Sequence, residues 1–377
     1  MRKFFRVFAA IIVVLTIILY ATGKLYYYKA IIYNYVDIDD LNLFYNRPVE
    51  AEKSQEWNIS KFYNSEKLSD TLTSFLTANK SVAFMIIKDD SIRYEQYWEG
   101  YGDSSLSNSF SMAKSIVGLL IGVAIDEGKI KSIDQPVGDY IPEFKEGDKS
   151  KITIRHLLMM SSGLDWNEGY ASLTSQVTEA YYGSDLYKLV ANLKVASPPG
   201  KEWSYKSCDP ELLAIILTKA TGVPLAEYAS EKIWKQVGAT HTAQWSLDHK
   251  DGLEKAYCCF YSNARDFARF GKLALNDGKW NDKQIVDSAY VSLITHPNGL
   301  IDPETNQPVK VYGYQWWTDN FLNHRVFYMR GILGQYVIVV PDMKLIIVRL
   351  GHKRSTDANG KANDYPFYAS EVIKMFE

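Results

Sequence analysis

Strand-like sequence gathers near the two ends of the body of this chain, and helical sequence fills the stretch between them. Ser81–Lys88 and Ser91–Trp98 flank Asp89-Asp90 and read as a hairpin. Far downstream, Arg325–Arg330, Gln335–Val340 and Lys344–Leu350 alternate or run apolar like three adjacent strands. From about 133 to 275 the pattern is mostly helical, punctuated by Pro136, Pro142, Pro198-Pro199-Gly200 and Gly222. Strands at both ends with helices between predict one sheet assembled from both ends, carrying a helical insertion. A short helical pattern at Leu68, Leu72, Phe75 and Leu76 precedes the hairpin, and a last helix is predicted from about Tyr365 to Phe376.

Composition removes several classes of function. With 377 residues, 47% apolar and 23% charged, the chain has ordinary globular composition and room for two to three domains. Lys and Arg total 42 against 44 Asp and Glu, a net charge of −2, so no basic field exists to hold nucleic acid. The 27 tyrosines hint at aromatic-lined surfaces. The three cysteines, Cys208, Cys258 and Cys259, offer no disulfide framework, since the adjacent pair would need a strained eight-membered ring. Six histidines without HxH or HxxxH spacing give no reason to expect a metal site.

At the N-terminus, Arg2, Lys3 and Arg6 precede an apolar run from Val7 to Ala21, and Tyr26–Tyr28 with Lys29 follow like an interfacial belt. With Phe4 and Phe5 added, the run approaches the roughly 20 residues a spanning helix needs. Residues 1–24 are expected to be a signal anchor. A cleaved signal peptide and a buried core helix are the alternatives. Either export reading places the body outside the cytoplasm, as a single-pass membrane protein or a secreted one. Residues 25–80 are expected to be a connector and 81–377 the main domain, with its helical subdomain at about 133–275.

Three short patterns carry chemistry. Ser111-x-x-Lys114 opens a strongly apolar helix stopped by Gly128, and no other serine here has Lys at +3. Positions i and i+3 share a helix face, so the amine sits beside the hydroxyl. The helix dipole and burial both favour a neutral amine able to take the serine proton. In the second, a rigid Pro198-Pro199-Gly200 turn leads to Tyr205 and Ser207, which point the same way if that stretch is extended. A tyrosine can relay a proton and a serine hydroxyl can bond the lysine amine. The third, Arg330-Gly331-Ile332-Leu333-Gly334-Gln335, lies between two strand patterns, where glycines permit close approach and free N–H groups.

In this order the three patterns resemble the motifs of the serine β-lactamase-related superfamily, in the class C β-lactamase and esterase branch. The likeness runs over about residues 80–376 and includes Ile152–Leu164, Thr221-Gly222 and Ser262–Lys272. Tyr205-x-Ser207 with Gly331-Ile332-x-Gly334-Gln335 is similar to the 6-aminohexanoate oligomer hydrolases and their carboxylesterase relatives. Class C β-lactamases instead carry Tyr-x-Asn and Lys-Thr-Gly. The resemblance implies an α/β fold of the β-lactamase/transpeptidase type, an antiparallel sheet flanked by helices with a helical subdomain and the site in the cleft. It implies a serine hydrolase of amidase or carboxylesterase type: Ser111 as nucleophile, Lys114 as base, Tyr205 as proton relay, Ser207 orienting them, and the N–H groups of Ser111 and Ile332 holding the oxyanion. Asp165–Tyr170 looks like that group's mobile loop, with Tyr170 closing over substrate. Gly331 and Arg330 border the substrate, and Arg330 can stand in for the missing third-motif lysine. No metal or organic cofactor is implied, and the implied substrate is a small or short-peptide-like amide or ester. The alternatives are a β-lactamase or D-Ala-D-Ala carboxypeptidase-type cell-wall enzyme, and a non-catalytic binding or sensor homologue.

Overall fold

The computed structural model describes residues 1–358 and 363–377, so residues 359–362 of the expected domain lie outside the described residues. Two sheets organise it, built from β1 (Asn46–Val49), β2 (Asn58–Ile59), β3 (Ser81–Lys88), β4 (Ser91–Tyr97), β5 (Ser107–Asn108), β6 (Ala243–Ser246), β7 (Phe260–Ser262), β8 (Trp317–Phe321), β9 (His324–Gly331), β10 (Gln335–Val340) and β11 (Leu345–Gly351). The helices that position the site are α1 (Arg2–Ala21), α2 (Tyr26–Tyr33), α3 (Asp70–Ala78), α4 (Met112–Asp126), α5 (Gln176–Tyr182), α6 (Cys208–Thr221), α7 (Ala264–Leu275) and α8 (Asp364–Phe376).

The main sheet has seven strands in the order β8-β9-β10-β11-β3-β4-β2. Its two chain ends meet where β11 pairs antiparallel with β3, Ile347 opposite Ile86. Only the β2–β4 pair within it is parallel. Strand alternation sorts its apolar residues onto two faces. Ala83, Met85, Ile87, Val337, Val339, Ile346 and Val348 face one core with α4 and α7. Phe84, Ile86, Tyr336, Ile338, Leu345 and Ile347 face the other, covered by α3 and α8. Helices on both faces explain why these strands are apolar on both sides. The α/β class, with a mainly antiparallel sheet flanked by helices, is the one expected.

One expectation about organisation needs correction. Residues 25–80 are built into the domain: β1 pairs with β6, β2 extends the main sheet beside β4, and α3 buries Leu72 and Leu76. Strands of two and four residues are too short to show a period, which is why this stretch reads as a connector. The 133–275 region, read as mostly helical, also holds β6 and β7, which join β1 and β5 in a second sheet. Its last helix, α7, packs against β10 and β11 of the main sheet, with Gly271 so close that a Cβ there would lie 2.8 Å from Val337 Cγ1. The short edge strand β8 was absent from the sequence reading. Its five residues carry Asp319 and Asn320 and have no apolar run.

Helix α1 is long and apolar enough to cross a membrane and is almost entirely exposed. At about 1.5 Å per residue its 20 residues span about 30 Å. The next helix, α2, lies on α5: Lys24 Nζ and the Tyr26 hydroxyl reach Glu179 Oε2 at 3.5 and 3.4 Å, and Tyr33 stacks on Tyr182.

Candidate active site

The turn before α4 sets the site. Phe110, buried, sits at φ +43°, a region that costs a bulky L-residue about 1–3 kcal/mol. Neighbours hold it there: Phe110 N–H donates to Asn108 Oδ1 at 2.9 Å, and Ser109 N–H donates to the Phe260 carbonyl at 2.8 Å. The turn delivers Ser111 to the N-cap of α4, partly exposed, while Lys114 one turn later is 1% exposed. Lys114 Nζ donates to Ser111 Oγ at 2.9 Å and to the Tyr257 carbonyl at 2.8 Å. Burial pushes this amine down to about 8, against the pull of Glu168 and Glu211. The pair can therefore move the serine proton onto lysine.

Tyr205 also hydrogen-bonds with Ser111. Its ring packs at 5.4 Å from Trp317 and at 6.0 Å from Tyr312, with Lys114 Nζ 5.1 Å from its centre. Burial and the Glu168 charge raise its hydroxyl above the ordinary tyrosine range, although its hydrogen bond with Ser111 acts the other way. At neutral pH it is a phenol, a proton donor rather than a phenolate. The Arg330 guanidinium stacks on the far side of this cluster, 4.8 Å from the Trp317 ring centre.

Ser207 departs from the expected arrangement. The stretch is not extended there; Ser207 has helical φ and ψ as the N-cap of α6. This turns its hydroxyl away from the lysine and towards Glu168, donating to Oε1 at 2.6 Å while its N–H donates to Oε2 at 2.8 Å. Among the described residues, Ser207 makes no hydrogen bond to Lys114. Glu168 also accepts from the Tyr170 hydroxyl and Trp166 Nε1. It thus gathers the 165–170 loop, the head of α6 and the lysine's field at one carboxylate. The sequence reading quoted this loop for Tyr170 and missed Glu168; an acidic residue two before that tyrosine was the available signal.

The third segment closes the site. Gly331 ends β9 so near the turn before α4 that a Cβ there would lie 2.3 Å from the Ser109 carbonyl oxygen, which excludes a side chain. Ile332 follows and lines the same cavity as Ser111, with Leu333 at φ +61°. Among the described residues neither the Ser111 nor the Ile332 N–H has a hydrogen-bond partner. The turn is held by two side chains, Gln335 of the motif itself and Arg349, which the sequence pattern did not mark. Gln335 Nε2 donates to the Ile332 and Gly351 carbonyls at 3.1 and 2.7 Å. The buried Arg349 donates through Nη1 to the Leu333 and Gly334 carbonyls, each at 2.8 Å.

One expectation about cysteine is overturned here. Cys258 and Cys259 form a disulfide with each other, and Cys208 is free and buried. Cys259 takes φ +66°, and the turn this makes brings neighbouring sulfurs together. The bridge directly follows Tyr257, whose carbonyl holds Lys114. Among the described residues, the group with donor atoms placed for a metal ion is Asp37, Asp39 and His352, where His352 Nδ1 lies 2.6 Å from Asp37 Oδ1.

The Beta-lactamase family model matches residues 69–367. A 6-aminohexanoate-dimer hydrolase of Paenarthrobacter ureafaciens is 26% identical over 285 residues, covering 71% of this chain and 71% of its own. A protein of Escherichia coli K12, provisionally assigned as a D-alanyl-D-alanine carboxypeptidase, is 23% identical over 363 residues, covering 78% of this chain and 83% of its own. A solved structure from Bacillus anthracis, provisionally assigned as a 6-aminohexanoate-dimer hydrolase, superposes with a TM-score of 0.78 at 25% identity, covering 90% of this chain and 92% of its own.

Proposed function

The chain belongs to the Beta-lactamase family, whose relatives are hydrolases, and from that premise we propose that it cleaves amide or ester bonds through an acyl-enzyme on Ser111. One observation carries the reading: a fully buried lysine amine, 2.9 Å from a serine hydroxyl, with its pKa pushed down to about 8. Near neutral pH roughly a tenth of such an amine is free to accept a proton, enough for a base poised close to working pH.

Ser111 Oγ attacks the carbonyl carbon as its proton passes to Lys114 Nζ. The N–H groups of Ser111 and Ile332 receive the oxyanion, an interaction whose loss costs about 100- to 1,000-fold in comparable sites. Tyr205, kept protonated by its surroundings, hands its proton to the leaving group and is reprotonated from Lys114. Water then attacks the acyl-enzyme by the reverse relay. Glu168 positions Ser207 and Tyr170, and its charge tunes Lys114. The relative named as a 6-aminohexanoate-dimer hydrolase, whose dimer is joined by an amide, supports the amide part of this reading. We further propose that α1, with Arg2, Lys3 and Arg6 before it, anchors the protein in a membrane and leaves the catalytic body outside the cytoplasm.

Intact mass spectrometry after treatment with a small fluorophosphonate tests the mechanism. One adduct on the wild-type chain, absent from Ser111→Ala, is expected. An adduct that persists in Ser111→Ala assigns the nucleophile elsewhere, and no adduct on the folded wild-type chain favours a non-catalytic homologue.

A further inference from the structure

The proposed nucleophile opens onto a cavity of about 480 Å³. Part of its wall comes from outside the β-lactamase match: Ala30 and Ile31 of α2, and Tyr35 just beyond it, line it together with Leu173 and Val177. No Asp, Glu, Lys or Arg is among the described residues that line it. A zwitterionic peptide or a carboxylate-bearing lactam would find no counter-charge inside, and desolvating it there is costly. An aliphatic chain meets mostly apolar surface there, from Ala30, Ile31, Val36, Leu173, Val177 and Ile332, interrupted by Asn34, Ser172 and Thr178.

The rim extends this character to the outside. Ile31 is 61% exposed, Tyr35 67% and Leu173 46%, so apolar surface continues from the cavity onto the exterior. It does so on the segment that directly follows α1, four residues after that helix ends. Contiguous exposed apolar surface of this kind marks a binding or membrane-facing site. The cavity also has a direction. Ser111 and Ile332 line it, whereas Lys114 and Tyr205, which handle the leaving group's proton, do not. The acyl side of a substrate therefore lies in the cavity, and the leaving group lies towards Tyr205 and Trp317.

We propose that the cavity is an acyl-chain site and that the substrate is an ester or amide of an aliphatic fatty acid, taken from the bilayer that holds α1. The proposal rests on the serine-hydrolase reading above. Ser111 Oγ bonds to the acyl carbon, the carbon–oxygen or carbon–nitrogen bond to the leaving group breaks, and the serine proton leaves with that group through Lys114 and Tyr205. Water oxygen then bonds to the acyl carbon, and the Ser111 ester bond breaks. One water proton returns to Ser111, so the products are a fatty acid and an alcohol or amine.

The test uses the full chain in phosphatidylcholine nanodiscs, its active sites counted by fluorophosphonate labelling. With p-nitrophenyl acetate, butyrate, octanoate and dodecanoate, kcat/KM is expected to climb with acyl length by up to about fourfold per methylene until the cavity is full. Acetate esters of longer alcohols are expected to show no such climb; a climb there overturns the assigned direction. Ile31→Asp and Leu173→Asp, both at exposed positions, are expected to flatten the series, with labelling of Ser111 reporting that the fold is intact. A climb unchanged in both variants overturns the cavity as its cause. Dodecanoyl glycerol embedded in the same discs is expected to be hydrolysed; turnover of freely dissolved esters alone overturns the bilayer route. A labelled enzyme with a flat or falling series overturns the acyl-chain site and leaves the serine hydrolase standing. No labelling and no turnover of any ester overturns the reading beneath it.

Discussion

At the head of α4, burial holds the Lys114 amine down to about 8 while Glu168 and Glu211 pull it back up. The sign of the resulting pH dependence follows directly. Below pH 8 the amine carries its proton and cannot take another from Ser111; above it the free base accumulates. kcat/KM on a neutral ester is therefore expected to rise with pH along a limb centred near 8, falling about tenfold per unit below it. Replacing Glu168 with Gln keeps hydrogen-bonding capacity towards Ser207 but removes the charge that raises Lys114. The limb should then move to lower pH. A pH–rate profile of the two proteins checks this, and a limb that stays in place in Glu168→Gln removes Glu168 from the tuning of the base.

The element that carries the proposed oxyanion N–H of Ile332 is the turn between β9 and β10. Its shape depends on a side chain from β11, two strands along the sheet from β9. Arg349 is fully buried and spends its donors on backbone carbonyls at Leu333 and Gly334 and on the Ser81 hydroxyl at 3.0 Å. In Arg349→Met these acceptors stay buried without donors, at about 1–3 kcal/mol each. The variant is expected to lose about 2–5 kcal/mol of stability in urea. It should also react more slowly with fluorophosphonate, because the Ile332 N–H is no longer held. A variant of wild-type stability and labelling rate would show that the turn holds its shape without the arginine.

For the whole molecule, the proposed membrane attachment rests on the first helix. α1 is exposed and followed by α2, which is tied to α5 through Lys24, Tyr26 and Tyr33. A helix of about 30 Å flanked by basic and aromatic residues suits a bilayer core. Alkaline carbonate extraction of membranes is expected to leave the full-length chain in the pellet. A soluble product beginning near residue 22–25 would mean that the segment is cleaved. Retention also matters for catalysis on the reading above, since α2 supplies part of the cavity wall.

Much of this architecture was legible in the residues alone. β3, β4, β9, β10 and β11 follow from apolar periodicity, and Ser111 beside Lys114 follows from the rise of one helical turn, because both are local properties of the chain. What lay beyond the sequence was every contact between distant loops. Ser207 turns to Glu168, 39 residues away, because α6 starts at Ser207 and the stretch is helical rather than extended there. Arg349 clasps a turn 15 residues before it, Cys258 meets Cys259 because Cys259 takes a left-handed conformation, and residues 25–80 join the domain through strands too short to show a period. Polar partners in loops have no periodicity to betray them. Which carboxylate meets which hydroxyl, and what a cavity is lined with, is decided only when packing brings separate elements to one place.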